Sequence, residues 1–505
     1  MSPRRLQTLA AMAVLAISIY ILARTVYVAA ADCGTVDRVF GWVLLLVEGF
    51  LLAHATGFAM NVYRTSGEGE TPEPPPVGTD SAPEVAVAVA SRHEPLAILE
   101  KTFTTLCLLD YPKKRIYLLD DSSGEQYQRE ADDLAERMGF EVYRREVRHG
   151  AKAGIINDAL RDVIHAKHLV LFDADQNPMP DFLSRTIPVL EADERVAWVQ
   201  TPQVYTNLGA GPVAYGSAMQ QAIFYESICE GKTSNQAIFC CGTNVVFRVS
   251  ALRQAGGFDE SSITEDFATS IKLHMLGHRS VYHNHACAFG MAPESFPAYL
   301  KQQSRWAVGT LSMLRKVLWY ALTNWRSLSP GQWWEYFLAS SFYLTGWANF
   351  FLMLCPVVYL LWGVPTAFMQ AGVYLTAYVP YFTLSWLVFY STMRSRHYTL
   401  RQVVEGVTLG YLCFPVLMKA AVFGLVLNRR MPFVVTTKGK AERFPFLGLW
   451  PYWTLLGVNA AAVAAGLAAI ESHPYAKCVN VFWALYHCAI LAQAFRFNHE
   501  PTLGT

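Results

Sequence analysis

The chain has 505 residues, of which 53% are apolar and only 16% charged, where an ordinary globular protein carries roughly 25% charged residues. The 41 Lys and Arg against 40 Asp and Glu leave a net charge of +1, which excludes a nucleic-acid binder working through a basic surface. The apolar content excludes disorder, and a mean hydropathy of +0.21 points to a membrane protein with a soluble part inside it. The ten cysteines show no C-x-x-C spacing and read as reduced, small apolar residues.

A spanning helix needs roughly 20 mostly apolar residues. Residues 6–23, preceded by Arg4 and Arg5, and residues 39–62 qualify. The first is long for a signal-peptide core and a second span follows, so it is expected to stay as a span. Residues 65–83, rich in Pro, Gly and acidic groups, read as a linker. No segment within 84–317 could span a bilayer. Apolar blocks then follow at 336–361, 368–390, 403–427, 447–469 and 479–494.

Lys and Arg concentrate on the cytoplasmic side of a membrane protein. Arg64, Arg394, Arg396, Arg429, Arg430, Lys438 and Lys440 all fall on that side if 403–427, which carries Glu405 and Lys419, lies along the interface as an amphipathic helix. The expectation is six spans in a plasma (inner) membrane, with both termini and the soluble domain cytoplasmic. The chain then divides into two spans (1–64), a linker (65–83), a soluble domain (84–317) and a second membrane domain (318–505).

The soluble domain reads as α/β. Apolar strands at 85–90, 115–119, 141–144 and 168–172 alternate with helical patterns, among them 125–138 and 153–165, which predicts a mainly parallel sheet. Ligands of such sheets bind beyond the carboxyl ends of the strands. His93 and Glu94, Asp120 and Asp121, and Asp173 and Asp175 all follow strand ends.

Asp173 and Asp175, two apart, present paired oxygen ligands suited to Mg2+ or Mn2+, although such a pair also serves as a helix cap. Glu265 and Asp266 open a helical stretch, where they act either as capping charges or as a general base for a hydroxyl nucleophile. Gln302, Arg305 and Trp306 share one helical face. Arg can clamp a diphosphate, and an indole can support a sugar ring or anchor at the membrane interface. Lys152, just before a helix, suits an anion or is simply an exposed lysine.

In this order the motifs resemble the processive inverting glycosyltransferases of family 2, specifically the catalytic subunits of cellulose synthases and their relatives. They stand as Asp120, Asp173-Ala-Asp175, Thr264-Glu265-Asp266 and Gln302-Gln-Ser-Arg305-Trp306, with Lys152-Ala-Gly, Gln200-Thr-Pro, Phe239-Cys-Cys241-Gly and Ala255-Gly-Gly-Phe258 between them. Phe433, Val435, Thr436 and Lys438 look like the family's gating loop.

The resemblance implies a GT-A-like domain set in about six spans. It implies that His93, Glu94, Asp120, Asp121 and Lys152 line a nucleotide pocket and that Asp173 and Asp175 hold Mg2+ or Mn2+ on a UDP diphosphate. Asp266, beside Glu265, would deprotonate the acceptor hydroxyl, and inversion would yield a β product. Gln302, Arg305 and Trp306 would border the diphosphate and the acceptor end, with Cys241 near the acceptor. The gating loop would close over the donor, and the spans would form a polymer channel, which Glu48 and His54 either line or leave to pair with another helix.

The implied substrates are UDP-glucose and a growing β-glucan: cellulose, a β-1,3-glucan or a mixed-linkage glucan. A hyaluronan- or chitin-type synthase using UDP-N-acetylated sugars is the alternative, followed by a non-processive transferase. A polymer transporter or scaffold with an inactive domain is the reading from a different class. Gln176 after the Asp pair, where cellulose-making members often have His, and Phe267-Ala-Thr269 after the acidic pair depart from the cellulose pattern. No counterpart of a cyclic di-GMP-binding domain is recognisable after Gly439. Accessory subunits or a homo-oligomer stay open.

Overall fold

The computed structural model describes residues 2–66, 78, 81–365, 368–369, 371–427 and 442–499. Among the described residues ten strands form two sheets: β1 (Val85–Ser91), β2 (Lys114–Asp120), β3 (Glu141–Tyr143), β4 (His168–Asp173), β5 (Asn177–Pro178), β6 (Val196–Gln200), β7 (Val204–Tyr205), β8 (Val245–Arg248), β9 (Arg279–Tyr282) and β10 (Ala288–Gly290). Seven of them pair in the order β3-β2-β1-β4-β8-β6-β9, and β5, β10 and β7 form a small second sheet.

The alternation within β1 explains its central place. Val85, Val87 and Val89 pack on one face with Leu99, Phe103 and Leu134. Ala86 and Ala88 face the other way, against Ile155, Ile156 and Ala159. Helices on both faces bury nearly every side chain of the strand, so a continuous apolar run is required rather than a polar alternation.

The sheet is parallel except at β8, which runs antiparallel to both β4 and β6. Register fixes the functional edge. Ser91 lies beside Asp120, and Ala90 beside Asp173, so the acidic residues that end β2 and β4 emerge on one edge. The reversal of β8 brings the residues before it, Gly242 to Asn244, to that same edge.

Two predicted boundaries shift. The helix expected at 153–165 spans Ala151–Asp162, and β3 ends at Tyr143 because Arg144 turns away to pair with Asp120 and Asp132.

Among the described residues six helical segments are long and apolar enough to cross a membrane: Pro3–Ala30, Thr35–Thr65, Pro330–Trp362, Gly372–Ser395, Phe446–Ala468 and Pro474–Phe497. The 403–427 block, read from sequence as one interfacial helix, is two pieces, Leu400–Tyr411 and Phe414–Val426, bent by 43°. Pro415, at the start of the second piece, lacks the N–H that would continue the first. Counting the bent pair as one span raises the total to seven. The chain is a multi-pass membrane protein. The 28-residue helix Phe296–Thr323 joins the two parts, packing Phe296, Leu300 and Leu311 against Phe414 and Leu417.

Candidate active site

At the end of β4 the Asp173 carboxylate is paired with the Lys152 ammonium, which also donates to the Gly242 carbonyl at 2.8 Å. Burial opposes the lysine's charge, but the Asp173 and Glu265 carboxylates outweigh it and raise its pKa. The Asp173 amide donates to Thr243 Oγ1 (2.9 Å), tying β4 to the turn before β8.

That turn is built by Gln200, fully buried at the end of β6. Its amide nitrogen donates to the Thr201 and Thr243 carbonyls, both at 2.9 Å, and its oxygen accepts from the Cys241 amide at 2.8 Å. Gly242 adopts φ +83°, and a Cβ there would stand 3.0 Å from Asp266 Oδ2, so glycine serves both the turn and the approach of the carboxylate.

Asp266 and Glu265 open the helix Glu265–Met275. The Phe267 amide donates to Asp266 Oδ1 at 2.7 Å. Burial first, and the neighbouring Glu265 charge second, push Asp266 up to about 7. Burial also raises Glu265, against the pull of Lys152. A carboxyl near neutrality can take up a proton at physiological pH.

Asp120 and Asp121 are held differently from one another. Asp120 is buried and accepts from the Ser122 amide (3.0 Å) and from Arg144 Nε (2.7 Å). Asp121 accepts from Arg145 Nε and Nη2, both at 2.9 Å, and from Arg148 Nε at 2.9 Å. His93, at φ +55°, is turned toward the following loop, where its Nε2 accepts from the Ser123 amide (3.0 Å) and its ring lies 5.0 Å from that of Tyr127.

These elements surround a cavity of about 1160 Å³. Of the residues singled out from sequence, Glu94, Asp121, Lys152, Asp173, Asp175, Cys241, Glu265, Asp266, Gln302, Arg305 and Trp306 line it. His93 and Asp120, expected in the pocket, are not among its lining residues. Phe433, Val435, Thr436 and Lys438 lie outside the described residues.

The cavity continues among the membrane helices, where His54, Phe342, Tyr381, Phe382 and Trp386 contribute to its wall. Of the two readings left open for the second span, pairing with another helix describes Glu48, whereas His54 lines the cavity and also meets the Leu338 carbonyl of another helix at 3.2 Å. Glu48 pairs with the first span, accepting from Tyr20 Oη (2.6 Å) and Arg24 Nε (2.8 Å).

Several lining groups carry no motif signal: Tyr205, Gln221, and the buried pair Lys232–Glu335 at 2.6 Å. Tyr205 accepts from Gln221 Nε2 at 3.3 Å. Burial first, then Asp175, raises its phenol, against hydrogen bonds from Gln221 and Gln302. Gln302 Oε1 is buried and has no hydrogen-bond partner among the described residues. The basic run at 144–148 was a sequence clue to the groups that would hold Asp120 and Asp121.

The architecture, an α/β domain with its acidic strand ends opening into a membrane-embedded helical wall, is GT-A-like. A mannosyltransferase from Pyrobaculum calidifontis, solved with GDP-Man and Mn2+, superposes with a TM-score of 0.51 at 19% identity, covering 76% of this chain and 99% of its own. A family model described as glycosyl transferase family group 2 matches residues 168–393. The chain is similar to the UDP-forming cellulose synthase catalytic subunit of Pseudomonas fluorescens, 27% identical over 92% of this chain and 63% of the relative. It also resembles a UDP-forming cellulose synthase of Dictyostelium discoideum, 34% identical over 48% of this chain and 23% of the relative. The chain thus spans less than two thirds of the length of these curated relatives.

Proposed function

We propose that the chain polymerises glucose from UDP-glucose into a β-glucan by inverting transfer and passes the product through the membrane. The observation that carries the reading is one continuous cavity. It runs from Asp173, Asp175 and Asp266 at the sheet edge to His54, Tyr381 and Phe382 among the spans, so a chain made at one end would grow toward the membrane helices. Similarity to UDP-forming cellulose synthase catalytic subunits supports the donor and the polymer.

In this reading Asp266 accepts the proton of the acceptor hydroxyl as it attacks the anomeric carbon from the face opposite the leaving UDP. Its raised pKa suits that task. Lys152 and Arg305 face the developing charge of the diphosphate. Gln302 Oε1 has its acceptor capacity unspent, which fits a sugar hydroxyl, and Trp306 offers an apolar face to a sugar ring.

Asp173 and Asp175 fit a divalent cation, since Asp173 already draws the Lys152 ammonium onto itself. Among the described residues no group of three or more His, Cys, Asp or Glu could hold a metal, so diphosphate oxygens would complete the shell, as is usual for Mg2+. When bound, the cation would neutralise charge on the departing UDP. In this reading the soluble domain and both termini lie on the cytoplasmic side, which the distribution of Lys and Arg supports.

The test uses the full chain in nanodiscs with Mg2+ or Mn2+ and one UDP-sugar at a time, followed by digestion of the product with a cellulase, a β-1,3-glucanase or a lichenase. Polymer from UDP-glucose alone is expected. Polymer only from UDP-N-acetylglucosamine would overturn the sugar assignment, and UDP release without polymer would overturn processivity.

A further inference from the structure

His149 precedes the helix that carries Lys152, and it touches neither Asp173 nor Asp175. Its Nε2 stands 2.9 Å from Asp158 Oδ2, and its Nδ1 stands 2.8 Å from Glu260 Oε2. The contact to Glu260 is a hydrogen bond and that to Asp158 a close charge contact; a neutral imidazole would turn a nitrogen lone pair toward one of the two carboxylates, whereas an imidazolium presents N–H to both. The hydrogen bond to Glu260 is the largest influence and raises its pKa, and the Asp158 charge adds to this. Desolvation and Arg145 oppose them.

The charged groups around it come from four segments, the last being the helix Phe296–Thr323 that carries Lys316. Arg145 and Arg148 belong to its own segment, with Arg145 reaching both Asp158 and the His149 carbonyl. Asp158 and Arg161, paired at 2.9 Å, come from the helix. Asp259 and Glu260 come from the facing loop, where Lys316 lies 3.5 Å from Asp259.

Glu260 belongs to the loop that runs directly into Thr264-Glu265-Asp266. A second residue of the same helix, Asn157, grips this loop, donating to Glu260 Oε1 (2.8 Å) and the Phe258 carbonyl (3.0 Å) and accepting from the Phe258 amide (2.7 Å). The approach is tight: a Cβ on Gly150, which sits at φ +56°, would fall 2.3 Å from Glu260 Oε2. Gly150, Lys152, Glu260 and Asp266 all line the same cavity.

We propose that His149 is a positioning residue: as an imidazolium it pins Glu260 to Asp158 and so fixes the loop that delivers Asp266 to the cavity. Deprotonation would set a nitrogen lone pair against a carboxylate and release the loop. The hydrogen bond to Glu260 and the Asp158 charge raise the His149 pKa above the ordinary imidazole value, so the clamp is fully present below that ordinary value and lost as pH rises through the raised one.

The consequence for turnover rests on the transferase reading above, whereas the clamp itself does not. Two measurements on the full chain in nanodiscs separate them. Hydrogen exchange of the Phe258–Thr264 segment, corrected for intrinsic rate, should speed up at least about tenfold in His149→Gln and Glu260→Gln at pH 7. In the wild type it should speed up as pH rises above about 6.5 and the imidazolium is lost. Transfer from UDP-glucose by His149→Gln should lose about 10- to 100-fold in kcat, with donor KM within about threefold, and should lack the alkaline limb seen in the wild type. Unchanged exchange in both variants and across pH in the wild type would overturn the clamp. Faster exchange with unaltered kcat and pH profile would overturn its role in positioning Asp266. A wild type inactive with every UDP-sugar would reject the transferase reading, while the exchange measurement still decides the clamp.

Discussion

Replacing Asp266 by Asn separates proton transfer from donor binding. The amide is nearly isosteric, and its oxygen can still accept from the Phe267 amide, which stands 2.7 Å from Oδ1 in the native protein. Gly242, with φ +83° and no Cβ, leaves room for either side chain. What disappears is the base and one negative charge beside Glu265, which relieves the repulsion that raises Asp266. Losing a positioned base costs about 10²–10⁴ in rate, or roughly 3–5 kcal/mol of barrier at about 1.36 kcal/mol per tenfold. The donor side, Lys152 with Asp173, keeps its contacts, so UDP affinity should move by no more than about threefold. The assay is initial-rate transfer from UDP-glucose in nanodiscs, with UDP binding measured by calorimetry on the same preparations. A kcat within about tenfold of wild type would refute the assignment of the base, and a collapse of UDP affinity would show that Asp266 belongs to the donor site instead.

The wild-type rate should depend on pH through the same group. Because Asp266 is pushed up to about 7 and acts unprotonated, kcat/KM should climb about tenfold per unit on the acid side and level off above that value; an acid limb near the ordinary carboxyl range would refute it. Gly309→Ala places a Cβ 2.4 Å from Thr264 Cγ2. Overpacking of this kind costs about 1–3 kcal/mol, and displacing Thr264, two residues before Asp266, should depress kcat by up to about 100-fold; wild-type turnover and melting temperature would contradict this. Glu335→Ala strands Lys232, whose pair is almost wholly buried with side-chain exposures of 4% and 1%, and should destabilise the chain by about 3–5 kcal/mol. The double change Lys232→Met with Glu335→Leu should recover most of that loss in thermal unfolding, and failure to recover would point to a role beyond the pair.

Elements whose signals are local were legible in the amino-acid order. The Val/Ala alternation of residues 85–90 can be read because both faces of that strand are covered, and the acidic pairs at 120–121 and 173–175 follow apolar runs that can only be buried strands. The membrane spans are legible because lipid demands length and apolarity and little else. Spacing likewise placed Gln302, Arg305 and Trp306 on one helical face.

Features that depend on residues far apart in the chain emerged with the packed fold alone. The antiparallel insertion of β8 carries Gly242 to the edge where Asp173 and Asp266 lie, yet nothing in a four-residue apolar strand states its direction. Asp120 and Asp121 read alike in sequence, but Arg144 sequesters one while the other lines the cavity. Glu48 and His54, six residues apart in one apolar helix, part company because Arg24 and Tyr20 stand beside one and the cavity opens beside the other. Such pairings are set by which faces of distant helices meet, and a buried charge reveals its partner only once the helices have packed.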